Sequence, residues 1–137
     1  MSDAFTASQA LAIVQRDVDA TFKGAVTLKF RRVNSELFVA LSDGRFHGGP
    51  IPDSAMASPA SLLGHVAEAA QDTIMGVLWK VWPVCPFHNT GAHVNTQLTG
   101  STVASFPKQE PSWPYWLCNS SGSSHLLAEV GHLAGGE

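Results

Sequence analysis

The chain has 137 residues, a net charge of −3 and an apolar content of 45%. This length suffices for one domain with a hydrophobic core, so we expect a single domain over residues 1–137. The negative charge argues against nucleic-acid binding as the main function, because proteins that bind phosphate backbones usually carry a basic excess. The N-terminus lacks the basic start and apolar run of a secretory signal, and no apolar stretch reaches the roughly 20 residues needed to cross a bilayer. We therefore expect a cytoplasmic protein without membrane contact.

The first third of the chain predicts a helix followed by a β-hairpin. Apolar residues recur at helical spacing from about Ser8 to Phe22, and Gly24 ends the pattern. Beyond it, apolar residues alternate with polar ones, which is typical of half-buried strands. We expect two antiparallel strands, with one turn at Asn34-Ser35 and another after the second strand at Asp43-Gly44. The alternating pattern is also compatible with a short third strand over residues 45–47.

A second helix is predicted as the central core element. Ser58 is a favourable N-cap, and Pro59 suits the first helical position. An apolar stripe then continues to about Val81, and Pro83 closes the helix. The sequence thus divides into a helix and hairpin in residues 1–55, a core helix in residues 56–82 and a third region in residues 83–134.

The third region predicts one further hairpin. Residues 115–118 have the composition of a strand, residues 119–124 that of a turn, and residues 125–130 that of the return strand. In such a hairpin Cys118 and His125 lie opposite each other, with β-carbons about 5 Å apart.

Spacing of cysteine and histidine points to a zinc site. Zinc in proteins is held by about four sulfur, nitrogen or oxygen ligands, and the step from Cys85 to His88 supplies two from one turn. Cys118 and His125 supply a second pair through the hairpin. We therefore predict a structural Zn²⁺ bound by these four residues, with His93 as the alternative fourth ligand.

Two metal-free interpretations compete with the zinc site. Cys85 and Cys118 are alternatively small buried residues of a core that contains no metal. In an oxidising compartment they could also form a disulfide bridge, which is less expected for a cytoplasmic protein. The spacing of the ligands favours zinc over both.

Three other groups of residues have a functional and a structural interpretation. His65, Glu68 and Asp72 lie on one flank of the second helix, where a polar helix face is favoured over an acid–base or metal site. Four tryptophans lie on both sides of the zinc ligands, and packing between the helix and the C-terminal hairpin is favoured over a partner-binding patch. They are Trp79, Trp82, Trp113 and Trp116.

The third group is basic. Lys29, Arg31 and Arg32 lie together in the first strand of the predicted hairpin. They could touch nucleic acid or an acidic partner. A solvated strand face is favoured, because the net charge of the chain is negative.

The motifs around the cysteines resemble those of a group of small uncharacterised bacterial proteins. The shared features are Trp-Pro-x-Cys-Pro-x-His after a helix (residues 82–88), a Trp-x-Cys strand (116–118) and an Ala-x-x-Gly-x-Leu ending (128–133). The resemblance covers the second helix and the C-terminal third. It implies that Cys85, His88 and Cys118 belong to one local structure, and it implies no function. Position 125 is outside the shared pattern, which keeps His93 as an alternative ligand.

These observations predict an α+β fold of two helices, a small antiparallel sheet and zinc-ribbon-like hairpins at the C-terminus. No nucleophile or cofactor motif is present, so we expect a protein-binding or adaptor protein with a structural zinc site, rather than an enzyme. The alternative is a zinc-dependent hydrolase whose open metal site lies near a carboxylate such as Glu110 or Glu129. Nucleic-acid binding through the ribbon and Arg31-Arg32 is weaker. The expected partner is another protein, and the sequence predicts no oligomeric state.

Overall fold

A computed structural model describes residues 6–85, 91–95, 114–120 and 123–133. The helices are α1 (Ala7–Phe22) and α2 (Pro59–Leu78), and the strands are β1 (Leu28–Val33), β2 (Glu36–Leu41), β3 (His93–Asn95), β4 (Tyr115–Ser120) and β5 (Ser123–Glu129). A 3₁₀ turn at Asp53–Ala57 precedes α2. The predicted α+β class is confirmed: these residues form two helices, a two-stranded sheet and a three-stranded sheet, both antiparallel.

Helix α1 agrees with the predicted range within one residue. Thr6 caps its N-terminus, because the Thr6 side chain accepts a hydrogen bond from the Gln9 backbone while the Gln9 side chain bonds back to Thr6. The helix ends at Phe22, and its C-cap Lys23 has a left-handed backbone with φ of 54°. Its buried residues include Val14 and Val18, but also the charged Asp17.

The first hairpin also forms as predicted. Strands β1 and β2 pair with Phe30 opposite Val39, and Asn34 and Ser35 make the turn with φ of 52° and 71°. Residues 45–47 form no strand, so that prediction is wrong. This segment is instead held by other contacts: the Arg45 carbonyl accepts from the Leu41 backbone at 2.9 Å, and the His47 backbone bonds to the Thr73 hydroxyl.

Helix α2 begins where the sequence predicted and ends earlier. Ser58 caps it by accepting a hydrogen bond from the Ser61 backbone, and Pro59 is the first helical residue. The helix stops at Leu78 and not at Val81, because Trp79 adopts a left-handed backbone with φ of 58°.

The C-terminal sheet has the order β3-β4-β5. Cys118 pairs with His125 across β4 and β5, which confirms the predicted register of this hairpin. The turn is shorter than expected, since the paired strands extend to Ser120 and Ser123. Val84 forms a single bridge to Gly91, directly before β3. The described residues do not show a zinc-ribbon pair of hairpins.

The hydrophobic core includes residues of both helices and both sheets. Val14, Ile74, Val39 and Trp116 all belong to one buried cluster. Trp82, which follows α2, is part of the same cluster and precedes a cis peptide bond to Pro83. Neither helix in the described part of the chain is long and apolar enough to span a membrane.

Candidate functional site

The structure describes only part of the predicted zinc site. Cys85 and Cys118 are both fully buried, and Cys118 lies opposite His125 in the sheet. His88 lies outside the described residues. Burial of the two cysteines fits both zinc ligands and small core residues, so the zinc site stays a prediction.

His93 has a different position from the other candidate ligands. It pairs with Leu117 across β3 and β4, one residue before Cys118. Successive residues of a strand point to opposite faces, so His93 and Cys118 lie on opposite faces of the sheet. Accordingly, His93 is exposed whereas Cys118 is buried. Among the residues that the structure describes, no group of three or more His, Cys, Asp or Glu is placed to hold a metal ion.

Two of the four tryptophans pack in the core. The rings of Trp82 and Trp116 meet edge to face, with centroids 5.1 Å apart. Each indole N–H donates to a residue of α1: Trp82 to the Thr21 hydroxyl at 3.1 Å, and Trp116 to the Asp17 carboxylate at 2.8 Å. For these two residues the predicted packing role between helix and hairpin is confirmed. Trp113 lies outside the described residues.

Asp17 is the buried charged group at this junction. Besides Trp116, its carboxylate accepts hydrogen bonds from the Gly131 backbone at 2.6 Å and the Leu133 backbone at 2.9 Å. Burial raises the pKa of Asp17, and these three hydrogen bonds and the nearby His132 oppose that rise. The carboxylate therefore connects α1 to the chain segment that follows β5.

Trp79 has a quite different environment from Trp82 and Trp116. Its side chain is 89% exposed, and its backbone N–H bonds to the Met75 carbonyl at the end of α2. Three more apolar side chains in the same stretch of chain are exposed, namely Met75, Val81 and Val84. We call these four residues the Trp79 surface. These four side chains lie within ten consecutive positions of the chain, and exposed large apolar groups commonly mark interaction sites where they form a patch.

The backbone of Trp79 makes its presence there more unusual. A left-handed residue after a helix is most often Gly or Asn, because a β-carbon clashes with the neighbouring carbonyl in this conformation. A bulky aromatic residue at φ of 58° is an outlier. Neither local backbone preference nor burial therefore accounts for tryptophan at this position.

The predicted packing of Trp79 between the helix and the C-terminal hairpin is therefore wrong. A usable signal was present in the helical spacing. Trp79 is five residues after the buried Ile74, which at about 100° per residue places it about 140° around the helix. That angle is on the polar flank of α2, away from the apolar stripe.

The polar flank of α2 also lines a cleft. His65, Glu68 and Asp72 face the loop Gly49–Pro52 across a space of about 270 Å³. The His65 ring nitrogen Nδ1 bonds to the Ser61 carbonyl at 2.9 Å. Burial raises the pKa of Asp72, and the nearby His47 opposes the rise. The structure thus brings these three side chains to one cleft, with Asp72 also packed against Gly48.

Comparison with known proteins adds no identification. No family model matches the sequence, and no curated protein and no solved structure is significantly similar to it. Functional inference therefore depends on the residues themselves.

Proposed function

We propose that this chain is a small cytoplasmic protein-binding protein of the adaptor type, which contacts its partner through the Trp79 surface. The observation that carries the proposal is a tryptophan that is 89% exposed and held in a left-handed backbone conformation. Tryptophan is among the residues most enriched in the energetic centres of protein interfaces.

Tryptophan at this position is energetically less favourable than glycine. Left-handed geometry costs a residue with a β-carbon about 1 kcal/mol relative to glycine. An exposed indole regains little of that cost by burial in its own chain. Binding to a partner would bury the ring and offset the cost, since an aromatic side chain contributes a large apolar area.

A structural zinc site completes the proposal for the C-terminal region. Support comes from the Cys118–His125 register and from the burial of both cysteines. Together with Cys85 and His88, these residues would form a zinc-ribbon-like staple with a closed ligand set. The hydrolase alternative depends on an open position at the same metal and stays a prediction, as does nucleic-acid binding.

The experiment compares three baits: the wild type, Trp79→Gly and Met56→Ser. Met56 is also exposed but lies in the 3₁₀ turn before α2, so it controls for loss of any surface apolar group. Proteins captured by the wild type and by Met56→Ser, but not by Trp79→Gly, are candidate partners. Each is then purified and titrated against all three baits.

We expect Trp79→Gly to weaken binding of the purified partner by about 30-fold or more, as for an interface residue worth about 2 kcal/mol. The same substitution should raise the free energy of unfolding by about 1 kcal/mol, because glycine fits the left-handed position. Loss of binding without loss of stability would place the effect at the surface. The proposal would be overturned if every purified candidate bound the wild type, Trp79→Gly and Met56→Ser equally well.

A further inference from the structure

The first hairpin has two edges, and the β2 edge is already occupied. Several backbone groups of β2 that point away from β1 have partners elsewhere: the Leu41 N–H donates to Arg45, and the Leu37 carbonyl accepts from Ile51. The Val39 carbonyl accepts from the Thr73 hydroxyl at 2.8 Å. Addition of another strand is therefore blocked at these positions of the β2 edge.

The same pattern identifies which groups of β1 point outward. Ser42 donates to the Thr27 carbonyl, so Thr27 belongs to a hydrogen-bonded pair of the hairpin. Hydrogen-bonded and non-hydrogen-bonded pairs alternate along antiparallel strands. The backbone groups of Leu28, Phe30 and Arg32 consequently face away from β2.

Only the start of this outer edge is covered. The Gln15 side chain accepts from the Leu28 N–H at 2.8 Å and donates to the Val26 carbonyl at 2.9 Å. Within the described part of the chain, the outward backbone groups of Phe30 and Arg32 have no such partner. Unpaired strand edges of this kind are templates for an additional strand.

The charge of the β1 edge determines which strands can pair with it. Strand β1 exposes three basic side chains, those of Lys29, Arg31 and Arg32, although the net charge of the chain is −3. Asp43, whose carboxylate interacts electrostatically with Lys29, is already paired with Arg45 at 2.9 Å. The edge therefore presents a local excess of positive charge.

This charge disfavours pairing with a second copy of the chain. If Phe30 of one copy paired with Arg32 of another in antiparallel fashion, Arg31 would lie opposite Arg31 of the other copy. Like charges directly opposite each other destabilise a sheet, whereas opposite charges stabilise it. An acidic partner strand meets both requirements of this edge, backbone pairing and charge.

We propose that the β1 edge binds an extended acidic peptide segment of another protein by strand addition. The residues opposite Lys29 and Arg31 would be acidic and two positions apart, and the residue between them would lie on the same face as the half-buried Phe30 and be apolar. This surface is formed by different residues from the Trp79 surface, so either can fail without the other.

The test uses a short synthetic peptide of alternating Glu and Val, titrated into the full chain while backbone hydrogen exchange is followed. On binding, the exchange rates of the Phe30 and Arg32 amides should fall to about one tenth of their values without peptide, or lower. Amides of Lys29 and Arg31 should change little, because they already bond to β2. Binding should weaken several-fold at high salt, since exposed charges are then screened.

Two peptide controls separate strand pairing from simple charge attraction. A peptide with Lys in place of Glu should not bind. A Glu/Val peptide methylated at the Val backbone nitrogens cannot donate from the edge that places Val opposite Phe30 and Arg32, and it should bind at least tenfold more weakly, in proportion to the lost backbone hydrogen bonds.

A protein control locates the site. Lys29→Glu places a like charge opposite a peptide Glu and should abolish binding, whereas Arg16→Glu makes the same charge change on the exposed side of α1 and should reduce it little. Three results would overturn the proposal: equal binding of the methylated peptide, binding that leaves the Phe30 and Arg32 amides unprotected, or protection of these amides by dimer formation without any peptide. An oligonucleotide that binds without protecting the two amides would indicate a general anion surface instead.

Discussion

The indole N–H of Trp116 in β4 donates a 2.8 Å hydrogen bond to the carboxylate of Asp17 in α1. The same carboxylate accepts from two backbone N–H groups after β5, at Gly131 and Leu133. Trp116 in turn packs edge to face against Trp82, which follows α2. One buried carboxylate therefore joins the first helix to the C-terminal sheet, and the aromatic pair extends this junction to the end of the second helix.

Replacing Asp17 by Asn should destabilise the protein. All three partners of the carboxylate are donors, and an amide offers only one acceptor oxygen while its NH₂ group faces donors. We expect a loss of about 1–3 kcal/mol in the free energy of unfolding, measured by urea denaturation. Asp19→Asn is the matched control, because Asp19 is exposed on the same helix, and it should cost less than about 0.5 kcal/mol. Equal losses for the two variants would contradict the structural role of Asp17.

The pH dependence of stability should carry a signature of Asp17. Burial raises the pKa of this carboxyl above its usual value of 3.8, so the folded state holds the proton more tightly than the unfolded state. Between the two pKa values the folded chain binds more protons, and the free energy of unfolding contributed by Asp17 therefore falls as the pH rises. The difference in stability between wild type and Asp17→Asn should be largest below about pH 4 and decrease as the pH rises above it. A difference that grows with pH would show that the three hydrogen bonds outweigh burial.

Local patterns in the sequence were sufficient for much of the fold. The apolar spacing of α1, the Asn34-Ser35 turn and the Ser58-Pro59 helix start each depend on neighbouring residues, and each prediction is confirmed. The register of Cys118 with His125 was also predictable, because the position of the turn fixes which residues of a hairpin face each other.

The junction at Asp17 could not be derived in the same way. Its three donors lie 99 to 116 residues later in the chain, and no local pattern reports such contacts. A partial signal exists, since Asp17 follows the buried Ala10 and Val14 at helical spacing and so lies on the apolar stripe. Trp79 was misassigned for a different reason: its left-handed backbone ends α2 before the predicted position.

Gly76 provides a test of the packing between α2 and the loop that follows the first hairpin. In an ordinary helix Gly→Ala stabilises by roughly 1 kcal/mol. Here a β-carbon at Gly76 would clash with Cγ of His47 and would lie 2.7 Å from its Cβ, close to the loop backbone, so the loop must move. Gly76→Ala should therefore lower the free energy of unfolding by about 1–3 kcal/mol in urea denaturation, against the helix preference.

Two variants control for the Gly76 result. Gly49→Ala adds a methyl group where no atom lies within 4 Å, and it should have little effect. Combining Gly76→Ala with His47→Gly removes the clashing side chain and should recover most of the loss. A stabilising effect of Gly76→Ala alone would show that the loop does not pack against α2 as described.

Zinc removal tests the proposed staple in the C-terminal region. We expect about one zinc per purified chain by plasma mass spectrometry, and a large drop in melting temperature after a strong chelator. Cys118→Ser replaces a buried residue and could destabilise without any metal, so the informative readout is the response to chelation. That variant should contain no zinc and should not melt lower after the chelator, whereas His65→Ala should retain the metal and the chelation response of the wild type. If the purified wild type contains no zinc and its melting temperature does not change with the chelator, the zinc staple is excluded. Cys85 and Cys118 are then core residues.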